Sequence, residues 1–114
     1  MTPEGKIEAY LKKCVLATGG RIRKLSWIGR RGAPDRLVWW PGPDLVFVEV
    51  KAPGKKATKQ QEREHVRLQQ DGFAVAVVNS KERVDWLVHK GLARAVAKRL
   101  ADPSTAAWVR GLNG

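Results

Sequence analysis

Two acids and a lysine stand at the ends of adjacent apolar runs. Asp35 follows Pro34 and opens the first run; Glu49 and Lys51, two residues apart, close the second. Side chains alternate along a strand, so Glu49 and Lys51 share one face while Val50 takes the other. Between the runs lies Pro41-Gly42-Pro43-Asp44, strong turn chemistry. An antiparallel hairpin centred on Gly42 sets Asp35 opposite Glu49 and Leu37 opposite Phe47. Directly opposed residues share a face, with Cβ atoms ~4.5–5.5 Å apart. Two carboxylates and an ammonium converging there make a poor core and a good seat for a divalent cation. Hard oxygen ligands suit Mg²⁺ or Mn²⁺, ions that keep several waters. Such an ion acidifies bound water and neutralises phosphate charge, and a nearby lysine adds fixed positive charge where negative charge develops.

The net charge agrees with a phosphate-bearing partner. The chain has 114 residues and carries +11, from 22 Lys and Arg against 11 Asp and Glu. That charge on so small a body attracts polyanions, nucleic acid before anionic membrane. Acids gathered on this basic background suggest a metal bridging protein to phosphate. The length fits one domain, 1–114, with a core over about residues 2–90 and a helical extension over 91–114. No apolar stretch nears the roughly 18 residues that cross a membrane. The start, Met1-Thr2-Pro3-Glu4, has no secretory character, so the expected location is the cytoplasm of a bacterium or of a phage-infected host. Cys14, the one cysteine, excludes an intrachain disulfide and a cysteine zinc site, and reads as core filling in a helical stripe.

Several elements must position the acids. Thr2 caps a helix running to about Thr18, with Ile7, Leu11, Cys14, Val15 and Thr18 on one inward stripe and Gly19-Gly20 ending it. Arg21 to Ile28 reads as a strand, and Arg30-Arg31-Gly32-Ala33-Pro34 as a basic loop leading to Asp35. Arg36–Trp40 and Leu45–Lys51 form the hairpin; both are apolar on both faces, which implies cover on each side. Thr58-Lys59-Gln60-Gln61 matches a capping box opening a helix to about Asp71. Phe73–Val78 is a short apolar strand. Ser80 caps a helix over Lys81 to His89, with Gly91 as terminator. Leu92–Leu100 reads as a further helix, Asp102-Pro103 as its break, and a last helix from Ser104 carries Trp108. The class is α/β, with a small mixed sheet flanked by helices and extra C-terminal helices.

This order of elements, with Pro34-Asp35 and Glu49-Val50-Lys51, resembles the PD-(D/E)XK nuclease superfamily and its restriction-endonuclease-like core, α-β-β-β-α-β. Gly32-Ala33-Pro34-Asp35-Arg36, Gln61 and Gly72-Phe73-Ala74-Val75-Ala76-Val77-Val78 narrow the likeness to the VRR-NUC group, over about residues 8 to 88. The resemblance implies a metal-dependent endonuclease acting on DNA phosphodiesters, with Mg²⁺ or Mn²⁺ as cofactor. Asp35 and Glu49 would ligate the metal with the backbone carbonyl of Val50. Lys51 would orient or help deprotonate the attacking water, and Gln61 would sit beside the metal shell. Glu8 matches an acid the family often places near the site. Small stand-alone members occur in phages, dimerise and cut four-way (Holliday) junctions, so branched DNA and a second copy of the chain are the implied partners.

Blander roles stand beside these. Gln61 is explained almost as well by capping, and Glu8 by an i, i+4 pairing with Lys12. Arg30, Arg31 and Arg36, with Lys55, Lys56, Lys59, Arg63 and Arg67, either track the DNA backbone or form solvated faces. His65 and His89 lack ligand spacing and read as helix surface. Trp39, Trp40 and Trp86 read as packing; Trp27 either stacks on a base or belongs to core or interface. Resolving a four-way junction needs two paired cuts, and one domain offers one site, so the apolar tail from Leu92 to Trp108 is the candidate dimer surface. The competing functions are a flap or nicking nuclease of broader range and a non-catalytic nucleic-acid-binding module.

Overall fold

Alternation along β3, Val46–Val50, divides the molecule into two layers of helix around one sheet. The computed structural model describes residues 1–42 and 44–101. Its elements run α1 (Pro3–Ala17), β1 (Arg21–Lys24), β2 (Arg36–Trp39), β3, α2 (Lys59–Gln70), β4 (Ala74–Val78) and α3 (Lys81–Ala101). The four strands lie in sequence order, antiparallel from β1 to β3 and parallel between β3 and β4. The even residues of β3, with Val38, Trp40 and Val78, pack on Ile7, Leu11 and Val15 of α1 and on Val84, Leu87 and Val88 of α3. The odd residues of β3 face the other way. Phe47 meets the rings of Trp27 and Phe73, each at 5.7 Å, and Glu49 meets His65 of α2. Cover on both faces accounts for hairpin strands apolar on both sides.

The hairpin takes the register its turn implies. Arg36 pairs with Val48, Leu37 with Phe47 and Val38 with Val46, so one step further brings Asp35 level with Glu49. Thr2 caps α1, its hydroxyl accepting from the Gly5 N–H at 2.9 Å. Thr58 and Gln61 form the full capping box on α2.

Two boundaries differ from the sequence reading. β1 stops at Lys24 rather than Ile28: the Leu25 N–H still donates in register to the Asp35 carbonyl at 2.8 Å, and beyond it the chain leaves the ladder for a turn at Ile28–Gly29, with the Trp27 indole donating to the Pro34 carbonyl at 2.7 Å. Gly91 does not end a helix; α3 runs through it without a break. The glycine serves close packing instead, since a Cβ there would stand 2.3 Å from the Trp40 ring. Trp40 itself is buried and donates to the Thr18 hydroxyl, whereas Trp86 is half exposed beneath the Arg83 guanidinium. The expected break at Asp102-Pro103 and the helix carrying Trp108 lie outside the described residues. No described helix is long and apolar enough to cross a membrane.

Candidate functional site

Glu49 is a carboxylate that the fold buries without a partner. The strand places it on the α2 face, 8% exposed, and its Oε1 has no hydrogen bond. Nε2 of His65 faces it at 3.8 Å, too far for a hydrogen bond and also unsatisfied. Burial pushes the Glu49 carboxyl up to about 7; Lys51 works against that rise, while Asp35 and Glu4 add to it. His65 is lowered, again mainly by burial. Closeness alone suggests an ion pair here, but burial disfavours the charged form of both groups and so works against one. A buried polar atom without a partner costs ~1–3 kcal/mol. Native proteins keep such atoms chiefly where something else fills the gap.

Asp35 is held from both sides. Its carbonyl accepts from Leu25, and its carboxylate lies 3.0 Å from Nη1 of Arg36. Nη2 of the same arginine donates to Glu8 of α1. Burial opposes the charge on Arg36, but the two acids outweigh it and raise its pKa. Two sequence assignments change as a result. Arg36 is 7% exposed with its guanidinium taken up by carboxylates, so it organises the site from beneath and offers no surface to DNA. Glu8 holds Arg36, which in turn holds Asp35; the α1 acid whose charge Glu49 feels is Glu4.

Lys51 follows Glu49 on the same face, with its backbone N–H tied to the Val78 carbonyl at 2.9 Å. Val50 sends its side chain into the core, leaving its main chain for the site. Gln61 does cap α2: its Oε1 accepts from the Thr58 N–H at 2.8 Å, so the amide nitrogen is what it can turn elsewhere. Gly32, at φ +80°, lies against the first turn of α2, and a Cβ there would stand 3.0 Å from the Gln60 carbonyl oxygen. That contact sets the Arg30–Arg31 loop beside the start of α2. Arg31, Lys55, Lys56, Lys59 and Arg63 are exposed around it; Arg30, half exposed, reaches Glu64 at 3.5 Å.

Sequence reasoning missed His65 and Glu64, both buried on α2. Helical spacing holds the signal: Gln61, His65 and Leu68 follow i, i+4, i+7, so a glutamine turned towards the sheet brings His65 with it. His89 is exposed on α3, as the sequence suggested.

The donors suit a small hard cation. Among the described residues no three His, Cys, Asp or Glu side chains gather tightly enough to hold a metal alone. Asp35, Glu49 and the Val50 carbonyl, as expected ligands, would leave most of a coordination shell to water, which is how Mg²⁺ is usually bound. A cation would also satisfy the buried Oε1 of Glu49.

Comparison with known proteins bears on the fold and the family. A family model described as the VRR-NUC domain matches residues 13–82. "Putative nuclease p44" of Acyrthosiphon pisum secondary endosymbiont phage 1 is 47% identical over 79 residues, 69% of this chain and 85% of that protein. A solved structure described as a "VRR_NUC domain" superposes with a TM-score of 0.73 at 44% identity, across 78% of this chain and 97% of its own. The matched segment takes in all four strands, α2, Asp35, Glu49, Lys51 and Gln61, and the chain belongs to the VRR-NUC domain family.

Proposed function

We propose that this protein is a metal-dependent endonuclease that hydrolyses DNA phosphodiesters, and that as a homodimer it resolves four-way junctions. The observation that carries the reading is Glu49: a buried carboxylate oxygen without a partner, with Asp35 and Lys51 near enough to shift its titration. Asp35, Glu49 and the Val50 carbonyl would hold Mg²⁺ or Mn²⁺. When bound, the ion would acidify a water and neutralise phosphate charge. Lys51 would orient or help deprotonate the attacking water and would stabilise the charge that develops on the phosphate. Gln61 lines the edge of the site through its amide, and Arg36 keeps Asp35 in place. Arg30, Arg31, Lys55, Lys56, Lys59 and Arg63 hold the DNA backbone. The name of the phage relative supports the nuclease reading, and a bacterial or phage-infected cytoplasm is the setting it suggests.

Paired cuts need two sites, and twofold symmetry supplies them. Val96 and Leu100, about half exposed along the end of α3, support that segment as part of the dimer surface. Sedimentation at micromolar concentration should show a dimer with or without DNA; a monomer in both conditions removes the paired-cut reading.

Magnesium-dependent cleavage of matched linear, flap and four-way substrates tests the proposal. Cutting of the four-way substrate should dominate. Equal cutting of flaps would favour a nuclease of broader range, and binding without cutting a non-catalytic module. Asp35→Asn and Glu49→Gln each remove a ligand and a negative charge facing phosphate. Both should bind DNA as well as or better than the parent while cutting collapses. Lys51→Ala should lose cutting but keep most metal binding by calorimetry. Wild-type cutting by both carboxylate variants would overturn the nuclease reading.

A further inference from the structure

Ile28 is 97% exposed, more than any other large apolar side chain among the described residues, including the terminal Met1. Single apolar residues at a surface are common and need no function. The frame around this one is what distinguishes it. Ile28 stands in the segment between β1 and β2, and the base of that segment is closed onto the candidate centre. Leu25 donates to the carbonyl of Asp35, and the Trp27 indole to that of Pro34. The Trp27 ring leans on Phe47, and Gly32 rests on the backbone of α2. Gly29 follows Ile28 at φ +74°, reversing the chain in open space. The residue next to an anchored tryptophan is thus turned fully outward, and Arg30 and Arg31 follow within three positions.

An apolar side chain beside phosphate-binding arginines is the arrangement by which proteins wedge between bases. Unstacking a base step in continuous duplex is costly. Where strands exchange, stacking can be interrupted already, and the same insertion costs less. Exposed Ile28 also leaves its own burial to be gained on contact. A second copy of the chain is the other occupant to consider, but a symmetric contact here would set Arg30 and Arg31 against the same two arginines of the other copy. DNA is the better match by charge.

We propose that Ile28 is an apolar wedge that enters the base stack where DNA strands diverge, and so contributes to the choice of branched over linear DNA. The proposal deepens the nuclease reading and rests on it. The test uses full-length protein in Ca²⁺, on a four-way junction and its linear control, each with 2-aminopurine at the central step. Ile28→Ser is compared with Ile28→Leu, which keeps an apolar tip. Wild type and Ile28→Leu should raise the 2-aminopurine fluorescence of the junction. Ile28→Ser should lose that rise, and its preference for junction over linear DNA should drop roughly tenfold. Unchanged thermal unfolding of Ile28→Ser would show that the fold is intact. A junction preference and fluorescence rise kept by Ile28→Ser would overturn the wedge. So would a shift from dimer to monomer in DNA-free Ile28→Ser, which would assign the side chain to the subunit interface. Magnesium-dependent cutting by wild type is scored separately: its absence counts against the nuclease reading, whereas normal cutting with an indifferent Ile28 counts against the wedge alone.

Discussion

At the scale of single residues, the site is a set of charges that would be costly apart. Glu49 is ionised above about 4.5 in an unfolded chain, yet burial raises it to about 7 in the fold. Between those values the folded state holds more protons, so this group lowers stability as pH rises, by at most roughly 3 kcal/mol above pH 7. His65 acts in the opposite sense. Its lowered pKa means the folded state holds fewer protons below about 6.5, and its contribution is lost as pH falls. Glu49→Gln removes only the first effect. Denaturant unfolding in chelator should therefore show the variant gaining on wild type from pH 5 to pH 8. Mg²⁺ should narrow that gap by stabilising wild type at the higher pH. A gap that stays constant across the range would contradict the burial argument.

At the scale of elements, close packing replaces the expected punctuation. Glycine inside an exposed helix is destabilising by ~1 kcal/mol relative to alanine. By propensity alone, Gly91→Ala should stabilise α3. The Trp40 ring forbids it, with three ring atoms within 2.9 Å of where a Cβ would stand. The expected result is destabilisation by about 1–3 kcal/mol, the range for overpacked cores, read as a lower thermal midpoint. Thr58→Ala offers a contrast at the opposite face. It removes the hydroxyl that accepts from the Gln61 N–H at 3.1 Å and should cost ~1 kcal/mol. Because Gln61 reaches back to Thr58, the same change should also alter cutting if the glutamine belongs to the site. An unchanged rate with reduced stability would leave Gln61 as a cap alone.

At the scale of the whole molecule, affinity and chemistry should separate. On the proposed reading, net charge would draw the polyanion in, while the acids at the hairpin end would act on it. Arg30→Ala with Arg31→Ala should weaken binding and flatten its salt dependence, with a slope change of roughly 0.9 for each phosphate the variant no longer neutralises. Cutting of saturated substrate should fall less in that double variant than in the carboxylate variants. Affinity measured across a salt series, with single-turnover cutting alongside, checks both. A salt slope equal to that of wild type would remove the loop from the DNA interface. Asp44 closes the far end of the molecule: Lys98 and Arg94 of α3 hold its carboxylate below its usual value, tying the hairpin turn to the helix end.

Local chemistry was enough to read the capping residues Thr2 and Thr58 and the hairpin register that sets Asp35 level with Glu49, because each rests on neighbours close in sequence. Asp35, Glu49 and Lys51 are brought to one face by a turn and a period of two, and both are visible in the chain. Other features needed the third dimension. Arg36 looks like one more surface cation until α1 brings Glu8 to its buried guanidinium. His65 lacks ligand spacing along the chain and meets Glu49 only because the β3–α2–β4 crossover lays α2 over the strand. Gly91 reads as a stop by local propensity, and only the tryptophan at the end of β2 explains why the helix keeps a glycine there. Residue type and spacing determined which groups could do chemistry. Tertiary packing decided which stay in water, which are stripped of it and which charges are already paired, since desolvation depends on neighbours from distant parts of the chain.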